Sequence, residues 1–410
     1  MAGKRFGLLS VIAGAMALVL AACGGDPTAT PTSVPTATPP PQAAATPTPD
    51  EGARFQAEWD ALIVAAREEG QLSLVFGAGG RNYRPIANFF GEKFGIEMII
   101  STGSGSAGVN RVLAEQETGR YLVDTMYGGP TSVATRLIPG DAVVPVADLF
   151  MRPDVMDKSL WFEGKHYYSD PQQKFHFAFA ASAGPQNLGM YYNTDLVTPE
   201  DVDALSSVFD FLDPKWKGKI VSHLPIGGGS SGTYFRAYVQ PDIGTEWITG
   251  FFAPELEVTF SPDKRFIVDG VANGKFHMVV AAGNLGDLDA LATLGAPVRK
   301  LVKDFEEGGL LVSNSDQHNM AVPKNQPHPN AAKLWVNWWL SKEGQTLMHT
   351  MSEVESKPTL RADVTDWGKT LEEDRRVEGK SYYAFGTDPE YVVRRQEAND
   401  WVTAAYEATH

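Results

Sequence analysis

Cysteine is nearly missing from this 410-residue chain, which holds a single copy, Cys23. A lone thiol excludes an internal disulfide, a cysteine-ligated metal centre and thiol catalysis in the folded part. Basic blocks are missing as well. Lys and Arg number 35 against 50 Asp and Glu, for a formal charge of −15, and an acidic chain with no basic run argues against nucleic-acid binding. Its one apolar run near the start, residues 6–20, falls short of the roughly 20 residues that span a bilayer. Neither glycine-rich loop carries Gly-Lys-Ser/Thr, which removes P-loop phosphate chemistry. The eight histidines show no H-x-x-x-H or H-E-x-x-H spacing, so each reads as a packing or surface residue before a metal ligand. No tandem repeat is present.

What is there begins with a basic stretch at 1–5, the apolar run, and Leu20-Ala21-Ala22-Cys23. Small residues before a cysteine suit a signal peptidase, so residues 1–22 read as a signal peptide. The pattern resembles a bacterial lipobox, which would make Cys23 a lipidated first residue and a membrane anchor outside the cytoplasm. Residues 27–49 follow with eight prolines and seven threonines. That composition buries no core and favours extended polyproline II, a tether over 23–57. At about 3.1 Å per residue it could reach on the order of 70 Å. The remaining length suits two α/β lobes.

The body is expected to start near Glu58, with Trp59, Leu62, Ile63 and Ala66 on one helical face. A strand at 71–76, a helix at 82–94, a strand at 97–100, a helix from 105, a strand at 123–127 and a short helix at 131–137 follow. Alternating elements at this spacing imply a parallel sheet covered by helices, with ligands at the carboxyl ends of the strands. Those ends fall at 77–81, 101–106 and 128–130. The most telling one is IISTGSGSAGVNRVLAEQE, residues 99–117: a strand end, a loop without bulky side chains, then a helix burying Val109, Val112 and Leu113. A second copy, KIVSHL-PIGGGSSG-TYFRAYV, occupies 219–239. Two such corners suggest two lobes facing one small ligand. Lobe crossings are expected near Ala183-Gly184-Pro185 and at 313–319. Residues 329–348 read as one long helix with Trp335, Trp338 and Trp339 in the core, and 363–410 as mostly helix on the second lobe.

Both corners also match enzyme motifs. Gly103-x-Gly105-x-x-Gly108 has the spacing of a dinucleotide loop, with Asp124 downstream, though Asp124 sits at the start of its expected strand rather than at its end. Gly228-x-Ser230-x-Gly232 has the spacing of a nucleophile elbow, with Asp287 or Asp304 and His318 or His349 in the chain order of a hydrolase triad. No HGGG-type oxyanion motif precedes it.

Other segments carry a family resemblance. Tyr192-Asn193-Thr194-Asp195-Leu196-Val197, Asp213-Pro214-Lys215-Trp216-Lys217-Gly218-Lys219-Ile220, Val271-Ala272-Asn273-Gly274 and Pro329-Asn330-Ala331-Ala332-Lys333 with Ser341-Lys342-Glu343-Gly344-Gln345 resemble the family 1 extracellular solute-binding proteins, near the ferric-ion-binding branch. The resemblance spans about 58–361. It implies a two-lobed type II periplasmic-binding-protein fold of class α/β, hinge-linked, with the ligand between lobes and delivery to an ABC importer permease. Lobe 1 is expected over 58–178 and 296–345, and lobe 2 over 179–295 and 346–410. The iron-binding subset uses a histidine, an acid and two adjacent tyrosines; the matching places here are Gly80, Gly129 and Asn284-Leu285, and the pairs Tyr167-Tyr168 and Tyr191-Tyr192 fall in other segments. The expected ligand is therefore anionic or organic, with ferric iron as the alternative. Ser104, Ser106, Ser230, Ser231 and Thr233 are the expected contacts, with Arg81, Gly129, Ser182, Tyr234 and Asn284 beside them. No cofactor, no catalysis and a monomer are expected.

Overall fold

The computed structural model describes residues 49–77, 82–184, 189–226, 231–283, 285–313, 318–352 and 356–410. All of these lie in one compact unit, Thr46–His410. Helix α1 (Pro49–Glu69) begins nine residues earlier than the tether boundary implied. Pro49 at its start, with Asp50 and Glu51 in the first turn, suits a helix N-terminus, where an N–H is not needed and negative charge is favoured. Its buried residues are Trp59, Leu62 and Ala66, as the periodicity requires, with Ile63 half-buried.

Strand β1 (Gln71–Phe76) leads to α2 (Arg84–Phe94), β2 (Glu97–Thr102), α3 (Gly105–Thr118), β3 (Thr125–Tyr127) and α4 (Pro130–Ser132). The looser stretch holds β4 (Val143–Val144), α5 (Pro153–Met156), β5 (Tyr167–Tyr168) and β6 (His176–Ala178). Next come β7 (Ser182–Gly184), β8 (Tyr191–Asn193), α6 (Pro199–Asp203), β9 (Ile220–His223), α7 (Ser231–Val239) and α8 (Gly244–Phe252). Then follow β10 (Thr259–Ser261), α9 (Lys264–Ala272), β11 (Met278–Val279), α10 (Gly286–Thr293) and β12 (Val298–Lys300). The chain returns through β13 (Gly309–Val312) and β14 (Asn319–Pro323) to α11 (Pro329–Trp339) and α12 (Lys342–Thr350). It ends with β15 (Tyr382–Tyr383) and α13 (Tyr391–Glu407).

Three sheets organise these elements. The first runs β2-β1-β3-β14-β6-β5 with β4 on β14, the second β10-β9-β11-β8-β12, and a three-stranded one β15-β13-β7. Within the two large sheets the expectation of parallel pairing holds for β2-β1-β3 and β10-β9-β11, and β13 also pairs parallel with β15 in the small one. The other pairs of the large sheets are antiparallel, because each crossing inserts its strand in the opposite sense: β14 against β3 and β6, β8 against β11 and β12. Each large sheet is covered on both faces. Phe76, Phe90, Trp335, Trp338 and Trp339 build one core of the first lobe, and Val75, Val109, Val112 and Met126 the other. The second sheet is covered by α7 and α8 on one side, α9 and α10 on the other.

The chain thus passes from the first sheet through β7 to the second, and back through β13, which pairs with β7. Sheet membership shifts the expected lobe limits. Strand β12 belongs to the second sheet, so the return crossing follows residue 300 rather than preceding 296. Met348 of α12 and Leu360 belong to the first core, so α12 and the chain around Leu360 pack on lobe 1. Of the C-terminal stretch, α13 packs on the second lobe through Val402 and Trp401, whereas Arg361 bridges to Trp161 of the first. The expected long helix over 329–348 is two helices, split where Ser341 accepts from the Gly344 N–H and caps α12.

Candidate functional site

The parallel trio β2-β1-β3 places three strand ends side by side, and each opens into a glycine-containing turn. Gly77 follows β1 and donates to the Tyr127 carbonyl; Gly103 follows β2 and donates to the Phe76 carbonyl. Gly128 and Gly129 follow β3. Beneath them lies an aromatic floor: Phe76 stacks on Tyr127 at 4.3 Å, and the Tyr127 hydroxyl accepts from Trp335 Nε1 at 2.7 Å. Burial raises the Tyr127 pKa well above a free phenol, so it stays neutral. Such a floor fixes the strand ends before any ligand arrives.

Ser104 and Ser106 are exposed at the β2–α3 corner, their hydroxyls 3.2 Å apart. Ser104 is also the helix cap, accepting the Ala107 N–H at 3.2 Å, so one of its lone pairs is already used. Gly108, third glycine of the dinucleotide-like spacing, has a packing reason instead. A Cβ there would meet Val75 Cγ1 at 3.0 Å, where α3 crosses β1. Asp124 is fully buried and accepts from the Ser73 N–H and from His328 N and Nδ1. It joins β1 to the start of α11 and cannot serve a ribose.

In the second lobe, the trio β10-β9-β11 places the β9–α7 and β11–α10 corners next to each other. Ala281, buried and at φ 59°, leads into Gly283 at φ 74°. An alanine in the left-handed region is strained backbone, held only where surrounding structure imposes it. Ser231 opens α7, and its side chain lies outside the description. Thr233 is 3 % exposed and Tyr234 0 %. The Tyr234 hydroxyl lies 2.6 Å from Ser222 Oγ inside the lobe core, and burial raises its pKa. The Tyr234 hydroxyl is thus engaged at the buried end of β9, with Ser222 and the His223 carbonyl. Ser182 is half-buried on β7, in the sheet that joins the lobes. Gly129 caps α4. Arg81, Ser230, Asn284 and Cys23 lie outside the described residues.

The tyrosine pairs are engaged elsewhere. Tyr167 and Tyr168 form the edge strand β5, and Tyr191 on β8 donates to Asp289 Oδ2 at 2.9 Å. Among the described residues no group of three or more His, Cys, Asp or Glu is placed to hold a metal ion. The suggested triad partners are scattered: His349 sits among Ser356, Thr359 and Thr370, and the Asp304 carboxylate pairs with Lys380.

Two contributors escaped the sequence reading. Thr131, just past the third corner, accepts at Oγ1 from Arg395 Nη1 of α13 at 3.1 Å. The two residues are 264 positions apart, and no local pattern links them.

Residues 86–375 match the family model described as bacterial extracellular solute-binding protein. The chain belongs to that family. Its members are the substrate-binding components of ABC importers and work in the periplasm or outside the cell. Among the described residues no helix is long and apolar enough to cross a membrane.

The chain is similar to an uncharacterized protein of Haemophilus influenzae, 24% identical over 294 residues, 70% of this chain and 78% of that one. Among solved structures it resembles the Trichodesmium protein IdiA (FutA) in complex with iron and citrate: TM-score 0.56, 16% identity, 82% of this chain and 99% of that one. It also resembles ferric iron-binding protein A of Mannheimia haemolytica in an open conformation: TM-score 0.56, 15% identity, 82% and 98%. A third is AfuA of Actinobacillus pleuropneumoniae with fructose-6-phosphate bound: TM-score 0.50, 16% identity, 82% and 99%. At these identities the solute-binding family member shares with them the two-lobed type II fold.

Proposed function

We propose that this solute-binding protein is tethered by a lipid on Cys23 and captures a small anionic or organic solute by closing its lobes. The observation that supports the reading is the pair of parallel strand trios, each ending in small-residue corners, joined through the β15-β13-β7 sheet. Hydroxyls of Ser104, Ser106, Ser230, Ser231 and Thr233, with corner N–H groups and Arg81, would hold the oxygens of the guest; Gly129, Ser182 and Asn284 line its surroundings. Long helices such as α3 favour negative charge at their starts. Closure about the crossing strands excludes water and strengthens each charge-assisted bond. A micromolar affinity, roughly −8 kcal/mol, needs only a handful of them. No bond of the solute is broken, and the closed form is handed to the permease.

Ferric iron remains the second reading, favoured by the iron–citrate complex and the ferric iron-binding protein that share the fold. The test is isothermal titration with citrate, inorganic phosphate, fructose 6-phosphate and ferric citrate, alongside mass spectrometry of co-purifying small molecules. Binding of a metal-free anion with a raised melting temperature supports the proposal. Binding of ferric citrate alone overturns it in favour of iron. Labelling of Ser230 by a fluorophosphonate would replace both with hydrolysis.

A further inference from the structure

The family match ends at residue 375, yet the chain continues into α13, which is built into the second lobe. Tyr238 of α7 packs on Trp401 at 5.7 Å, and Phe252 of α8 meets Tyr406 edge-on at 5.6 Å. Arg394 fixes the start of the helix by donating to the Val239 carbonyl at 2.9 Å and to Asp388 at 2.8 Å. The next residue does something different. Arg395 leaves its own lobe and donates to Thr131, which follows β3 of the first lobe, beside the Gly128-Gly129 corner.

We infer that Arg395 and Thr131 form a latch between the lobes, a positioning contact for closure supplied by a helix outside the family-matching segment. The geometry carries it. One end is anchored in the second core by Trp401 and Val402, the other in the first by Val133, two residues past Thr131. The strands between them, β7 and β13, are the segments that must bend when the lobes part. A 3.1 Å hydrogen bond between bodies that swing about that sheet exists only while they are together. Guanidinium suits the task because its several donors keep contact through small rotations. By stabilising the closed arrangement, the latch raises the share of molecules ready to hold a solute, and the apparent affinity scales with that share. The inference rests on hinge closure and not on which solute is carried.

It is tested on ligand-free protein, so its failure is distinct from failure of the ligand reading. Arg395→Gln, Arg395→Lys, Thr131→Val and the double variant Thr131→Val/Arg395→Gln are compared by small-angle scattering and by hydrogen exchange of residues 125–137. Thr131→Val is nearly isosteric and guards against misfolding of the arginine variants. The latch predicts a larger radius of gyration and about tenfold faster exchange in Arg395→Gln and in Thr131→Val. It also predicts a double variant no worse than either single one, and recovery in Arg395→Lys. Unchanged radius and exchange in both single variants overturns it. So does full additivity in the double variant, which would mean the two residues act separately.

Discussion

Gly189 and Gly119 carry similar backbone angles, φ 65° and 66°, and opposite surroundings. A Cβ on Gly119 meets nothing within 4 Å, whereas one on Gly189 would overlap the backbone of Gly283. Left-handed φ alone costs a side chain about 1 kcal/mol. Gly119→Ala should therefore lower stability by about that amount, while Gly189→Ala should cost several-fold more or abolish soluble expression; urea unfolding of both variants decides it. The contact matters for function because Gly189 begins the second lobe just after a crossing, and Gly283 borders the β11–α10 corner. Tyr234 makes the complementary case. Its hydroxyl is used inside the core by Ser222, so Tyr234→Phe should cost about 1 kcal/mol of stability and leave solute affinity unchanged, as measured by thermal melting and titration. Sequence showed that aromatic residues follow the corner. It did not show which way the helix points them, since a single helical turn is compatible with either face.

At the scale of elements, residues 356–376 form a strap across the first lobe, where the sequence placed 346–410 on the other lobe and suggested mostly helix from 363 onward. Arg361 anchors it. The buried guanidinium pairs with both carboxylate oxygens of Asp363 at 2.8 and 2.9 Å and donates to the Leu340 carbonyl at 3.0 Å. Removing one partner of a buried pair typically costs about 3–5 kcal/mol, so Arg361→Ala should free the strap to limited proteolysis while α13 stays protected. Histidines lie along the same region. His349 accepts the Thr359 N–H at Nε2, which leaves that nitrogen no place for a proton. Burial, then the charge of Arg376, lowers its pKa to about 4; burial lowers His176 and His318 to about 3. In the unfolded chain each titrates near 6.5. Below that value the unfolded state binds more protons than the folded one, so stability is complete above pH 6.5 and is lost as pH falls towards 4. Each histidine contributes about 1.4 kcal/mol per pH unit in that window. Calorimetry should find a lower melting temperature at pH 5 than at pH 7, with a shallower dependence in His349→Gln.

Across the whole molecule, two crossings set the architecture. Strands β7 and β13 pair antiparallel, so the two connections between lobes form one ribbon rather than independent linkers. The break expected near Ala183 falls on β7, and the one expected at 313–319 begins just past β13 and lies largely outside the described residues; both were marked by apolar strand patterns ending at glycine, proline or polar residues, which act on the backbone locally. The strand–loop–helix corners were legible for the same reason: small residues between a strand and an amphipathic helix have few other uses. Trp335, Trp338 and Trp339 could be assigned to the core from their spacing alone. Local sequence thus determined the corners, most helices, the tryptophan core and, through DPKWKGKI and YNTDLV, the family. Tertiary structure alone decided the rest: that β12 stays with the second sheet, that the strap returns to the first, that Asp124 is an internal tie and that Arg395 meets Thr131. Each of these pairs partners tens to hundreds of residues apart, and their contact depends on how completed lobes dock. A pattern confined to a few residues carries no record of a neighbour that arrives only after folding.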